Sequence, residues 1–349
     1  MMTFRDDKLA RLALPPASAW LLSDIGEHKG RQQLYTRQMP QVLKALRDMA
    51  LVQSVESSNR IEGVTVAPDR LRPLVLGRAT PVDRAESEIR GYREALNGIH
   101  TRADSMKIAP DLFRHLHATI QSTSGDAGEW KQHNNEIVVL RPGLPPEVRF
   151  SPVQASATAA AAEELCASYL RAVEHAVAPA LITLAALVLD FLCIHPFRDG
   201  NGRVSRLITL LGTYQHGYEV GRYVSLERTI EDSREDYYEA LRRSSAGWHD
   251  GKHDFEPWLN YFLTVMRRAY REFEERVGQV KGQRGAKRAS VLGVIGRQAG
   301  TFSLIDLERL CPGVSRDMIR RVLWDLQKAG AVKCVRRGPA AQWQRIPNG

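Results

Sequence analysis

The chain has 349 residues, 43% hydrophobic and 26% charged, which gives enough apolar material for two domains and excludes global disorder. Its most apolar run, Leu181 to Ile194, is too short for a membrane span and contains Asp190, and Met1 to Leu14 lacks a signal-peptide core, so a cytoplasmic protein with no membrane partner is expected. The net charge of +9 is uneven: residues 281–349 carry 14 Lys and Arg against 4 Asp and Glu, leaving −1 for the remainder. The four cysteines are widely spaced with no CxxC pair, which argues against a zinc site or a disulfide framework.

In chain order, residues 1–30 read as an irregular leader. A helical pattern then runs from about Arg31 to Arg60, interrupted near its start by Pro40 and stopped by Gly63. Helical signals return at Asp83–His100 and Asp111–Gln121. The β-branched run around Ile137, Val138 and Val139, closed by Arg141-Pro142-Gly143, predicts a hairpin. Ser151-Pro152 is expected to open a helix that lasts to Glu174. Helices follow at Leu181–Ile194, Val204–Tyr214, Arg234–Ser245 and Phe255–Val277. Val280 to Gly285 reads as a linker. Beyond it, Ala286–Gln298, Ser303–Leu310 and Ser315–Lys328 predict three helices, with a turn at Cys311-Pro312-Gly313. Ala331 to Ile346 predicts a hairpin around Gly338-Pro339. Three helices and a hairpin outline a winged helix.

The segment His195-Pro196-Phe197-Arg198-Asp199-Gly200-Asn201-Gly202-Arg203-Val204-Ser205-Arg206 carries the chemistry. The residue before a proline disfavours the helical region, so the apolar helix ends at His195. Two glycines around Asn201 allow a tight turn whose N–H groups form an anion nest, and the next helix adds its N-terminal dipole. Arg203 and Arg206, three residues apart, share a helical face and suit a polyphosphate. Asp199 supplies a hard oxygen for Mg²⁺, and His195 a base near neutral pH. The set points to displacement at phosphorus.

This segment resembles the Fic family signature, HxFx(D/E)GNGRxxR, and matches every defined position. The resemblance implies that His195 is the general base and Asp199 the magnesium ligand. Gly200, Asn201 and Gly202 would form the anion hole, Arg203 and Arg206 would hold the β- and γ-phosphates, and a buried Phe197 would fix the loop. Family members usually transfer AMP from ATP to a Ser, Thr or Tyr hydroxyl of a target protein. The likeness extends over most of residues 50–265. Trp130 and Lys131, followed by Ile137, Val138 and Val139, sit where the family has its target-docking flap, although an aromatic followed by Arg is more usual there. Tyr237 and Tyr238 resemble a pair that lines the nucleoside pocket; the Asn that some relatives add is Ser245 here.

Ser58-Asn59-Arg60-Ile61-Glu62-Gly63 is similar to the family's inhibitory pattern (S/T)xxxE(G/N), matching at Ser58, Glu62 and Gly63. Glu62 would pair with Arg206 and deny it to the γ-phosphate. In some members such a glutamate also supports AMP removal. The implied fold is mainly α: a Fic-fold helical domain with a small hairpin flap, followed by a winged helix. The expected divisions are 1–110, with the inhibitory helix, 111–280, catalytic, and 281–349, winged helix. Arg316, Arg320 and Arg321 on the third winged-helix segment, with Lys333, Arg336 and Arg337 near the wing, suit DNA, while a protein-docking role remains open. A homodimer is suggested by the family. The alternatives to AMP transfer are transfer of another phosphate-containing group, or a DNA-binding regulator whose Fic domain senses nucleotide without turnover.

Overall fold

The computed structural model describes residues 2–38, 40–139, 145, 147–296, 298, 300–311, 314–336, 338 and 341–346, with backbone alone at 33–38, 40–41, 139, 278–287 and 289–290. The contacts define two compact units, Met1–Phe273 and Glu274–Gly349. The expected division at residue 110 thus falls inside one compact unit.

The first unit is helical apart from one hairpin. Helix α1 (Pro16–Gln38) occupies much of the expected leader. Apart from Ile25 its buried face is polar, which hid it from a hydrophobic pattern: Ser18 donates to Asn260 (2.6 Å), Gln32 accepts from the Tyr270 hydroxyl (2.9 Å), and His28 stacks on Tyr270. Helix α2 (Pro40–Ile61) follows, then the short α3 (Pro68–Val75), which the sequence reading missed. Helix α4 (Arg84–Arg102) is capped by the Asp83 carboxylate, which accepts from the Glu86 N–H, and α5 (Pro110–Ile120) starts on proline. Strands β1 (Ile137–Val139) and β2 (Glu147–Phe150) pair antiparallel.

Helix α6 (Thr158–Glu174) begins later than Ser151-Pro152 suggests, after a 3₁₀ turn at Ala155–Ala157. It packs on α7 (Ala180–Ile194), which is buried from Leu181 to Ile194. One charged group lies within that apolar helix. Asp190 accepts from the Thr3 backbone N–H (3.1 Å), the Thr3 hydroxyl and the Trp248 indole (2.6 Å), so its burial is hydrogen-bonded throughout. Helix α8 (Asn201–Gln215) packs on the other side of α7, and Gly212 lets it approach Leu184 too closely for any side chain. The short α9 (Leu226–Asp232), also missed, then α10 (Arg234–Ser245) and α11 (Glu256–Gly296) complete the order. Helix α11 runs through Val280–Gly285, where a linker was expected, and the unit boundary falls within it.

In the second unit the end of α11 is followed by β3 (Thr301–Ser303), α12 (Leu304–Leu310), α13 (Arg316–Lys328), β4 (Val332–Arg336) and β5 (Gln342–Arg345). The antiparallel sheet has the order β3-β5-β4. A reciprocal capping box between Ser303 and Asp306 starts α12. Val291, Ile295, Phe302, Leu307, Ile319 and Val322 form the core beneath the sheet. This is the winged-helix order; β3 is the strand the sequence reading missed. Pro312, Gly313 and Pro339 lie outside the described residues, as does Arg141 to Gly143. Among the described residues no helix is long and apolar enough to cross a membrane.

Candidate active site

The loop between α7 and α8 is built from its own residues outward. His195 ends α7 in the left-handed region (φ 51°, ψ 61°), an uncommon conformation for a non-glycine residue. Gly200, at φ +80°, provides the second reversal and caps α8. Asn201 ties the loop together: its Oδ1 accepts from the Phe197 N–H (3.0 Å) and its Nδ2 donates to the Phe197 carbonyl (2.8 Å). Phe197 is fully buried, stacked on His117 with centroids 3.9 Å apart and on Trp130 at 5.2 Å.

The His195 Nδ1 lies 3.3 Å from the Leu192 carbonyl, which can only accept, so Nδ1 carries the proton and Nε2 is left with a lone pair. Burial pulls its pKa down to about 4, with the Lys131 charge adding to the effect and the Leu192 bond and Glu62 opposing it. The imidazole is therefore neutral at pH 7.

Glu62 closes the opposite side of the loop. Helix α2 ends in paired turn bonds, Gly63 N–H to Arg60 and Val64 N–H to Asn59, with Gly63 at φ +79°, which fixes Glu62 as its last half-helical residue. From there Glu62 Oε1 accepts from Arg206 (2.8 Å), while Arg206 also donates to the Ser58 hydroxyl (2.8 Å) and the Ser58 carbonyl (2.9 Å). A Cβ added to Gly202 would collide with Glu62 Oε1, so the carboxylate rests on the bare first turn of α8. It stands where an anionic ligand oxygen would stand.

Arg203 goes elsewhere. Its side chain is 0% exposed and paired with Glu88 on α4, with Asp199 Oδ2 3.5 Å from its second nitrogen. The expected two-arginine clamp on one face is thus divided: Arg206 faces Glu62, and Arg203 is drawn inward because Glu88 neutralises it. Asp199 is 56% exposed; Oδ1 accepts from the Gly200 N–H (2.6 Å) and Oδ2 from Gln121 (3.1 Å). His117 Nδ1 accepts from the Gly128 N–H, so its other nitrogen donates to the Asp199 carbonyl (3.2 Å).

A cleft of about 570 Å³ joins these groups, lined by Glu62, Gly202, His195, Tyr237, Tyr238 and the flap residues Ile137 and Val138, with Ser245 also on its wall. Val139 belongs to β1, but its side chain is outside the described residues. Lys131 is not free for the docking role expected of it with Trp130, which stays half-exposed. They precede the hairpin, and Lys131 is buried, its amine donating to the Asn135 side chain (2.8 Å) and the Ile194 carbonyl (3.1 Å) and its N–H to Pro196 (2.9 Å). A side chain spent on the 195–200 loop cannot dock a target. Burial also lowers the Lys131 pKa to about 8.

Sequence reasoning missed Glu88, His117, Gln121, Arg149 and Arg234. The i, i+4 spacing of His117 and Gln121 on α5 is the one local signal for them. In the second unit, Arg316, Arg320 and Arg321 line a groove of about 780 Å³ together with Trp324, which is exposed at 63%. Arg316 pairs with Glu308 and Arg320 with Asp317 at the surface. Lys333 and Arg336 are exposed on β4; Arg337 lies outside the described residues.

A helical fold in which a glycine-bearing loop presents a histidine and an arginine, closed by a carboxylate from a second helix, defines the class. Residues 107–211 match the model of the Fic/DOC family, and the chain carries a Fic/DOC domain. Solved structures share the fold. A Fic family protein from Desulfovibrio desulfuricans G20 is 21% identical, with 97% of this chain and 98% of that chain covered and a TM-score of 0.62. A Fic domain containing signaling protein from Bacteroides thetaiotaomicron VPI-5482 is 21% identical, covering 73% and 98%, with a TM-score of 0.62. Fic-1 from C. elegans, residues 134–508, is 19% identical, covering 74% and 71%, with a TM-score of 0.55.

Proposed function

We propose that this protein is an adenylyltransferase that moves AMP from ATP to a Ser, Thr or Tyr hydroxyl of a target protein and is held at rest by Glu62. The observation that carries this reading is the Glu62 carboxylate lying on the Gly202 turn and on Arg206, in one cleft with the free Nε2 of His195. A site that accepts a carboxylate there accepts a phosphate oxygen once Glu62 withdraws. Tyr237 and Tyr238, on the wall of the same cleft, offer flat faces for adenine.

In the reaction, the target hydroxyl oxygen bonds to the α-phosphorus as the bond to pyrophosphate breaks, and its proton passes to His195 Nε2. Arg206 and the first turn of α8 hold the phosphates, and the reciprocal Asn201–Phe197 bonds keep the loop in shape. Among the described residues no cluster of three or more His, Cys, Asp or Glu could cage a metal, so Mg²⁺ would need phosphate oxygens beside one carboxylate. Asp199, half-exposed and with lone pairs left on both oxygens, fits that role; the ion would supply charge neutralisation on the phosphates.

The test is mass spectrometry of proteins labelled by the Glu62→Gly variant with ATP and Mg²⁺. An AMP adduct that disappears in Glu62→Gly/His195→Ala is the expected result. A UMP, phosphate or phosphocholine adduct would replace AMP transfer with another transfer, and ATP binding without any adduct would favour the nucleotide-sensing regulator. The exposed arginines of α13 support a second role for the other unit, DNA binding. It predicts duplex binding that weakens as salt rises and is lost in Arg320→Ala/Arg321→Ala; no binding at low salt would leave protein docking.

A further inference from the structure

The flap hairpin contains an irregularity in register. Ile137 pairs with Phe150, but the next residue, Val138, pairs with Val148. Strand β1 advances by one residue there while β2 advances by two, so Arg149 is the extra residue of a β-bulge. Bulges re-aim a side chain, and they are common beside active sites. This one brings Arg149 onto the wall of the cleft that His195, Tyr237 and Tyr238 also line.

The guanidinium has no ion pair or hydrogen bond among the described residues, and its Nε is buried without a partner. Arg70, half-buried like Arg149, has the Glu86 carboxylate within reach. Arg149 has only the face of Tyr238, 5.9 Å from its central carbon to the ring centroid. Burial holds its pKa below the usual arginine value, with Tyr237, Tyr238 and Cys193 offsetting part of that cost and Arg242 adding to it. Arg149 therefore sits against Tyr238 on the wall of the cleft, near enough to His195 for its charge to lower the imidazole pKa. A half-buried cation whose Nε lacks a partner is less well solvated than a surface arginine, and an incoming hydrogen-bond acceptor would relieve that cost.

We propose that Arg149 determines donor specificity, with its guanidinium reading the hydrogen-bond acceptors on the base of the bound nucleotide. The inference rests on the reading that a nucleotide occupies this cleft. A guanidinium offers donors only, in a planar fork, so it favours a base edge with ring nitrogens or carbonyls and disfavours an exocyclic amine directly opposite. Ser245 and Glu136, on the same wall, are available to accept from such an amine. Placement on the flap would also let the base reinforce the strand that faces a target.

The test uses the full chain carrying Glu62→Gly, so that the carboxylate does not limit binding, with and without Arg149→Met or Arg149→Lys. Calorimetric affinities are measured for ATP, GTP, CTP, UTP and inorganic tripolyphosphate, together with thermal melting without ligand. The expected result is that both substitutions lower the affinity of the preferred nucleotide about tenfold and narrow its preference over the other three, while tripolyphosphate binding is unchanged. Arg149→Met should melt at or above the temperature of the parent, because a half-buried unpaired charge has gone. Unchanged ratios among the four nucleotides would overturn the proposal. So would an equal loss of tripolyphosphate, which would make Arg149 a phosphate ligand, or a lower melting temperature with every affinity reduced, which would make it a strut. If the parent binds tripolyphosphate but no nucleotide better, the nucleotide reading of the cleft fails instead.

Discussion

Replacing Glu62 with glycine separates a structural role of the carboxylate from an inhibitory one, because the two have opposite signs. Arg206 makes three good bonds, two to Ser58 and one to Glu62, and the substitution removes only the last. A hydrogen bond between charged groups contributes about 1.5–3 kcal/mol, and the 24% exposure of Glu62 places this one near the lower end. At about 1.5–2 kcal/mol, the unliganded variant should melt roughly 3–8 °C lower, with about 2–4 °C per kcal/mol for a unit of this size. A triphosphate, however, no longer has to displace the carboxylate. The same 1.5–2 kcal/mol then appears as about 10- to 30-fold tighter ATP binding, and labelling from α-³²P-ATP should rise at least as much. Calorimetry and labelling at matched protein concentration measure both. A lower melting temperature with ATP affinity within about threefold of wild type would refute the reasoning and make Glu62 a strut for α2.

Three more outcomes follow from the same geometry. In Gly202→Ala the new methyl group collides with Glu62, which should destabilise the wild type by about 1–3 kcal/mol but the Glu62→Gly background much less; equal losses in both, by urea unfolding, would refute the contact. His195 titrates at about 4 because burial disfavours its charged form, so the base is ready across the neutral range. The labelling rate of Glu62→Gly should stay flat as pH falls from 8 to about 5 and decline only near 4, and a midpoint near 6.5 would show an unburied imidazole. Burial raises Asp190 to about 6 from 3.8, so the folded protein holds a proton that the unfolded chain has released between those values. That contribution to stability is present below 3.8 and lost as pH rises through 6. Melting temperatures for wild type and Asp190→Asn should diverge across this window, and parallel curves would show that Asp190 does not titrate there.

The sequence by itself determined the parts of the site that are local. His195 before a proline, Gly200 and Asn201 at the turn, and Gly63 after Glu62 each prescribe backbone conformation over a few residues, and the structure has the expected helix ends at all of them. Helices α4, α7, α10 and α13 were legible because each has a continuous apolar stripe or an unbroken apolar run. Helix α1 was not, because its buried face is mostly polar, with Ser18, His28 and Gln32 beside the single apolar Ile25. A linker was expected at Val280–Gly285 because glycine and charge weaken a helix locally, yet α11 continues through it. What only the tertiary structure decided is which charges meet. Arg203 and Arg206 look equivalent on one helical face, but Glu88 takes the first and Glu62 the second. Lys131 looks like a surface residue of a hairpin, but folding buries its amine against the Ile194 carbonyl beneath the His195 loop. Arg149 carries no signal at all until a shift in strand register turns it into the cleft. Periodicity and turn chemistry fix local geometry, whereas the pairing of charges depends on residues far apart in the chain that are brought together only by packing.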